Sequence, residues 1–131
     1  MGRVLLAFLL SGLLAFPAYS QTDKEIKSWY NDYNTGYFQG KLPQDVIIQH
    51  TTTTEYYART FKTGGKFVIS FSDSYVLGEL LTELILQHEM CHIEAWDELV
   101  RTGIEHGPKW RVCMYKLKAQ GASDSLIIEA Y

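Results

Sequence analysis

His88-Glu89-Met90-Cys91-His92 is the stretch on which the reading of this chain turns. On an α-helix, residues four apart share one face and lie about 6 Å apart along the axis. Two imidazoles so spaced can bind one Zn²⁺, and the glutamate after the first is within reach of a zinc-activated water. The chain holds four histidines, and one of the other two, His106, follows fourteen residues after His92.

A catalytic zinc takes three protein ligands and leaves one position open for water. A metzincin would place glycine three and histidine six residues after the second motif histidine; here Ala95 and Glu98 stand there. A downstream glutamate, Glu98 or Glu105, is one way to complete the site. Glu98 lies more than one turn beyond His92 and is expected to point away. His106 is better placed, because it immediately precedes Gly107-Pro108, where the backbone can swing a side chain back toward the motif helix. The expected metal ligands are therefore His88, His92 and His106, with Zn²⁺ as cofactor and Glu89 as general base.

Periodicity places the motif in its surroundings. Thr22 with Glu25 reads as a capping box. Ile26, Trp29, Tyr30, Tyr33 and Tyr37 then recur at helical spacing, which predicts a first helix from about Asp23 to Phe38 with its aromatic stripe in the core. Gly40-Lys41-Leu42-Pro43 turns the chain, and Val46-Ile47-Ile48 reads as a buried strand. Tyr56–Phe61 and Lys66–Phe71 flank Thr63-Gly64-Gly65 as a hairpin.

Ser72-Asp73-Ser74 offers an N-cap to a second helix. Leu77, Leu80, Leu81, Leu84, Ile85, His88 and His92 form one broad inward face on that helix, with Glu79 and Glu83 solvated beside it. The helix is expected to fade near Arg101 and stop at Gly103. Gly107-Pro108 opens a third helix, which Gly121 ends. Leu126–Tyr131 is a short apolar tail with no assignment. The expected class is α+β: a small antiparallel or mixed sheet packed on the N-terminal helix and the motif helix.

At 131 residues, 47% hydrophobic and 14% aromatic, the chain can build one core. Residues 1–20 stand apart from it. Arg3 precedes an uncharged apolar run, Val4 to Phe16, followed by Pro17-Ala18-Tyr19-Ser20. That run fits a signal-peptide core and is short for a membrane span; an uncleaved anchor is the competing reading. Cleavage after Ser20 would leave residues 21–131 as the mature domain, secreted or periplasmic, with no stable membrane insertion. No cysteine follows the run to carry a lipid.

Arg3 is the only charged residue of the leader, so its removal takes the formal charge from −3 to −4. A mildly acidic domain is a poor partner for nucleic acid, which is bound through cationic side chains on phosphates. Lys109, Arg111, Lys116 and Lys118 read as a solvated face. An oxidising compartment would permit a disulfide between Cys91 and Cys113; otherwise they are two small buried hydrophobes. Sequence does not supply the Cα separation that a bridge requires.

HEMCH with Trp96, then His106-Gly107-Pro108 with Trp110, resembles the SprT-like zinc metalloproteases. Tyr30, Asn34, Tyr37-Phe38 and Gly40-Lys41-Leu42-Pro43 resemble that family's opening helix and turn, and Ala58-Arg59 and Ile69-Ser70 match it more loosely. The resemblance runs from about residue 25 to 120. It implies a zincin-like fold, zinc on His88, His92 and His106, Glu89 as catalytic base, and a protein or peptide substrate. The chain departs from the better-known members in its leader, its negative charge and the lack of a zinc-ribbon or DNA-binding extension, so cleavage of DNA-crosslinked protein does not carry over.

Arg59, Tyr56, Tyr57 and Tyr75 are the candidate oxyanion stabilisers. Substrate is expected to pair as an added strand with Lys66–Phe71. Two other readings share these residues: a non-catalytic, zinc-stabilised binding module, and a DNA-associated protease if the leader is not cleaved.

Overall fold

A computed structural model of the chain describes residues 20–122. The expected leader up to residue 19 and the apolar tail at Leu126–Tyr131 lie outside the described residues. Seven elements follow in order: α1 (Asp23–Tyr37), β1 (Ile47–Thr51), β2 (Ala58–Thr63), β3 (Lys66–Ser72), α2 (Glu79–Glu94), α3 (Trp96–Thr102) and α4 (Pro108–Ala119). The class is α+β, as expected. No helix among the described residues is long and apolar enough to cross a membrane.

Helix α1 starts where Thr22 Oγ1 accepts the Glu25 N–H at 3.1 Å. The turn after it is tied back by side chains of the helix itself. Asn34 donates to the Leu42 carbonyl at 2.9 Å and accepts the Leu42 N–H at 3.0 Å, while the Tyr30 hydroxyl donates to the Pro43 carbonyl at 2.6 Å. Ile26 and Tyr30 are fully buried and set α1 against the core.

The sheet is mixed, in the order β1-β3-β2. β1 pairs parallel to β3, with Ile47 opposite Val68, and β2 pairs antiparallel, with Thr63 opposite Lys66. The tight connection between β2 and β3 needs two residues at positive φ, which Gly64 (56°) and Gly65 (78°) supply. As the central strand, β3 is buried on both faces from Phe67 to Ser72. That burial explains its nearly continuous apolar run.

Helix α2 lies at the centre of the molecule, against α1, the sheet and α4. Ile85 through Cys91 are all buried, so the helix has no solvated side over that length. Two expectations about it require correction. Its cap is Gly78 rather than the Ser72–Ser74 segment, and its first turn projects beyond the core, leaving Leu80 at 71% and Leu81 at 41% exposure. The expected continuous helix to Arg101 also breaks at Ala95. There the chain turns so that Trp96 lies edge-on to Phe67 of β3, ring centroids 5.2 Å apart. Glu83, expected in solvent, accepts a hydrogen bond from the Tyr33 hydroxyl at 2.6 Å.

Helix α3 ends at Gly103, whose φ of 71° closes it in the left-handed region. Helix α4 opens on Pro108 and packs Trp110, Cys113, Met114 and Leu117 inward. Cys91 and Cys113 form a disulfide across α2 and α4, with Cα atoms 5.6 Å apart, resolving the open question of their state.

Candidate metal centre and cleft

Each histidine reaches the site from a defined element. His88 and His92 stand one turn apart on α2, and His106 stands on the short connection from α3 to α4. His88 Nε2 lies 3.2 Å from His92 Nε2 and 3.2 Å from His106 Nε2. All three ligand atoms fall within 4.8 Å of one another. Ligands about 2.0–2.1 Å from a tetrahedral zinc are separated by about 3.3 Å. The spacing therefore fits a metal.

The electrostatics agree. Burial, reinforced by the other two imidazoles, lowers His88 from its ordinary value to about 2. Burial and His106 lower His92 to about 4, and burial lowers His106 as well. All three are therefore neutral near pH 7 and offer lone pairs rather than protons, the state that metal ligation requires. Three convergent neutral imidazole nitrogens are a donor set that could hold a metal such as zinc.

Trp110 supports the cluster from α4. Its ring lies 4.8 Å from that of His88 and 4.2 Å from that of His106, and it stacks on His92 at 5.7 Å. Its Nε1–H donates to the His88 carbonyl at 3.2 Å. One side chain thus packs against all three imidazoles. The disulfide, one residue from His92 at one end and three from Trp110 at the other, holds the same two helices together.

Glu89 is 3% exposed, and its Oε2 accepts from the Thr60 hydroxyl at 2.6 Å. Burial raises its pKa to about 7, against the Thr60 hydrogen bond, which lowers it. A carboxyl poised near neutrality is suited to exchange protons. Thr60 was not marked by any sequence signal, because the contact joins β2 to α2 across 29 residues.

Histidines and glutamate open onto a cleft of about 720 Å³. Its other wall is the segment Thr54–Phe61, with Tyr75, Trp96, Leu99 and Glu105 completing the lining. Arg59, Tyr56, Tyr57 and Tyr75 are all brought to this cleft. Tyr75 turns its hydroxyl to the Thr54 carbonyl at 2.7 Å, and its ring meets that of Tyr57 edge-on at 4.6 Å.

The strand bordering the cleft is β2, at the edge of the sheet, and not β3. Lys66–Phe71 has β1 on one side and β2 on the other, so it cannot accept a further strand. The hairpin register directs the backbone of Arg59, Phe61 and Thr63 toward β3 and leaves that of Ala58, Thr60 and Lys62 on the open edge.

The two glutamates considered as ligands are placed elsewhere. Glu105 is exposed on the rim of the cleft. Glu98 is 8% exposed and directs both carboxylate oxygens to the Lys109 N–H, at 3.3 Å each. It caps α4 rather than joining the histidines.

Comparison with curated proteins finds no match. The model of the SprT-like family matches residues 26–130, a span that takes in most of α1, the sheet, the motif helix and His106. On that match over most of its length, the chain belongs to the SprT-like family.

Proposed function

We propose that the protein is an exported, zinc-dependent endopeptidase in which His88, His92 and His106 hold the metal and Glu89 is the general base. The observation that carries this reading is the convergence of three neutral imidazole nitrogens beside a buried carboxylate, on a cleft walled by an edge strand. Membership of a family associated with metalloprotease-type domains supports it.

The chemistry that zinc supplies when bound is polarisation of a carbonyl and acidification of water. The chain's own residues do the rest. Glu89 accepts the proton of the attacking water and returns it to the leaving amine, and Thr60 holds its carboxylate in one orientation. The open edge of β2 offers backbone groups at Ala58 and Lys62, which can align an extended peptide as an added strand, while the Thr60 backbone between them faces the Glu89 carboxylate. Tyr56, Tyr57 and Arg59 line the same cleft as candidates for the developing oxyanion.

The disulfide supports export, since such bonds persist in oxidising compartments. Negative charge favours protein over nucleic acid as the partner. Protein recovered from the periplasm or medium should begin at or near Gln21 by N-terminal sequencing; an intact Met1 on cytoplasmic protein would refute export. The mature protein should carry about one zinc per chain and cleave an unfolded polypeptide. A chelator should remove both properties, and added zinc should restore them. Full zinc content in a His88→Ala, His92→Ala variant would refute the ligand assignment.

A further inference from the structure

Glu98 and Gly107 meet at the point where the chain delivers His106. Gly107 has φ −74° and ψ −175°, a conformation open to every residue, so glycine is not required there by its backbone. What glycine leaves there is space, and the Glu98 carboxylate occupies it. A Cβ on Gly107 would lie 2.3 Å from Glu98 Oε1, well inside van der Waals contact. As the N-cap of α4, Gly107 also provides no side chain to accept the first free N–H groups of the helix. Pro108 has no N–H at all, and the Lys109 N–H is taken by both oxygens of Glu98.

A carboxylate from α3 thus performs the capping that the local sequence cannot, and it lies in the space that glycine leaves. A buried negative charge at a helix N-terminus is also favoured by the helix dipole. His106 is the residue before this joint, and its carbonyl is held from the other side by Arg111 Nε at 3.2 Å. One contact thus holds the ligand's own carbonyl, and the other holds the N–H of Lys109 three residues further on; both fix the first turn of α4 beside His106.

We infer that Glu98 is a positioning residue for the third metal ligand: its carboxylate, seated against Gly107, sets the start of α4 and so the reach of His106 toward His88. This rests on His106 being a ligand, as proposed above, but not on the protein being a peptidase. Partners one step removed from a metal typically change its affinity by about 10–100-fold when lost.

The test is a double-substitution cycle read as zinc affinity by competition with a chromophoric chelator, on the mature, oxidised protein. Glu98→Ala should weaken zinc by about 10–100-fold. Against a His106→Ala background the same substitution should change affinity by less than about twofold, because its effect passes through the ligand already removed. Gly107→Ala, which leaves the backbone unstrained, should reproduce the loss and the same dependence on His106. It supplies the reading should Glu98→Ala fail to fold. Co²⁺-substituted Glu98→Ala should show a visible spectrum altered from wild type toward that of His106→Ala. Equal losses in both backgrounds would mean a general structural role and overturn the inference, as would wild-type affinity in both Glu98→Ala and Gly107→Ala. An unchanged affinity in His106→Ala itself would refute the ligand assignment instead, and a zinc-loaded wild type without peptidase activity would refute only the catalytic reading.

Discussion

Two buried polar clusters in the molecule are built on opposite principles. At the end of α1, Asn34 meets Leu42 with a donor for its carbonyl and an acceptor for its N–H. Toward the end of α2, His88 Nε2 faces two further imidazole nitrogens at 3.2 Å, whose neutral forms present lone pairs to one another. The first arrangement is complete within the protein and closes a turn. The second gathers acceptors in an arrangement that could hold a cation. Buried polarity alone therefore does not distinguish structure from function; the match of donors to acceptors does.

Breaking each cluster should separate the two kinds of contribution. His106→Ala should lower zinc affinity by at least about 100-fold, since three ligands share a binding free energy on the order of 10–16 kcal/mol. In the zinc-free protein the same change should leave the melting temperature nearly unaltered, because it removes a half-buried side chain from a group of competing acceptors. A large loss of stability in the zinc-free His106→Ala variant would show that the imidazoles are part of the structural core.

Removal of the disulfide should come next in size. Cys91→Ser with Cys113→Ser opens a link across 22 residues and should cost about 2–4 kcal/mol by denaturant titration. Alkylation of the oxidised, denatured wild type should find no free thiol. Asn34→Ala should cost about 1–3 kcal/mol, because the Leu42 N–H and carbonyl lose their partners inside the protein, and it should leave zinc stoichiometry intact. Zinc loss in Asn34→Ala at a temperature where it is folded would mean that the two clusters are not separable. Leu80→Gln should change stability by less than about 0.5 kcal/mol, as expected of an exposed residue with no packing to lose.

Local signals in the sequence carried much of this architecture. The Thr22 cap, the glycine pair of the hairpin and Gly107-Pro108 each encode a turn or helix start within a few residues, and each lies where its pattern indicates. The three histidines were legible because their chemistry narrows the arrangements they can adopt. What escaped local reading depends on contacts distant in the chain. Leu80 and Leu81 fit an inward face by periodicity, but the core ends before their turn. The break at Ala95 follows from Trp96 meeting Phe67 on another element. Strand order decides that β2 and not β3 borders the cleft, and both strands have plausible strand composition. Thr60 and Glu98 acquire their roles only when α2 meets the sheet and α3 meets α4.

If the acceptor-rich cluster is a working catalytic centre, Glu89→Gln should disable it without emptying it. Glutamine keeps the size and polarity of the side chain and can still accept from Thr60, but it cannot take a proton from water. Zinc content and hydrolysis of an unfolded polypeptide should be measured on the same preparation. About one zinc per chain is expected, as in wild type, with hydrolysis lowered by at least about 10²–10⁴-fold. Full zinc with a loss of only about twofold would contradict that expectation, and Glu89 would then be a buried carboxyl without a part in the reaction.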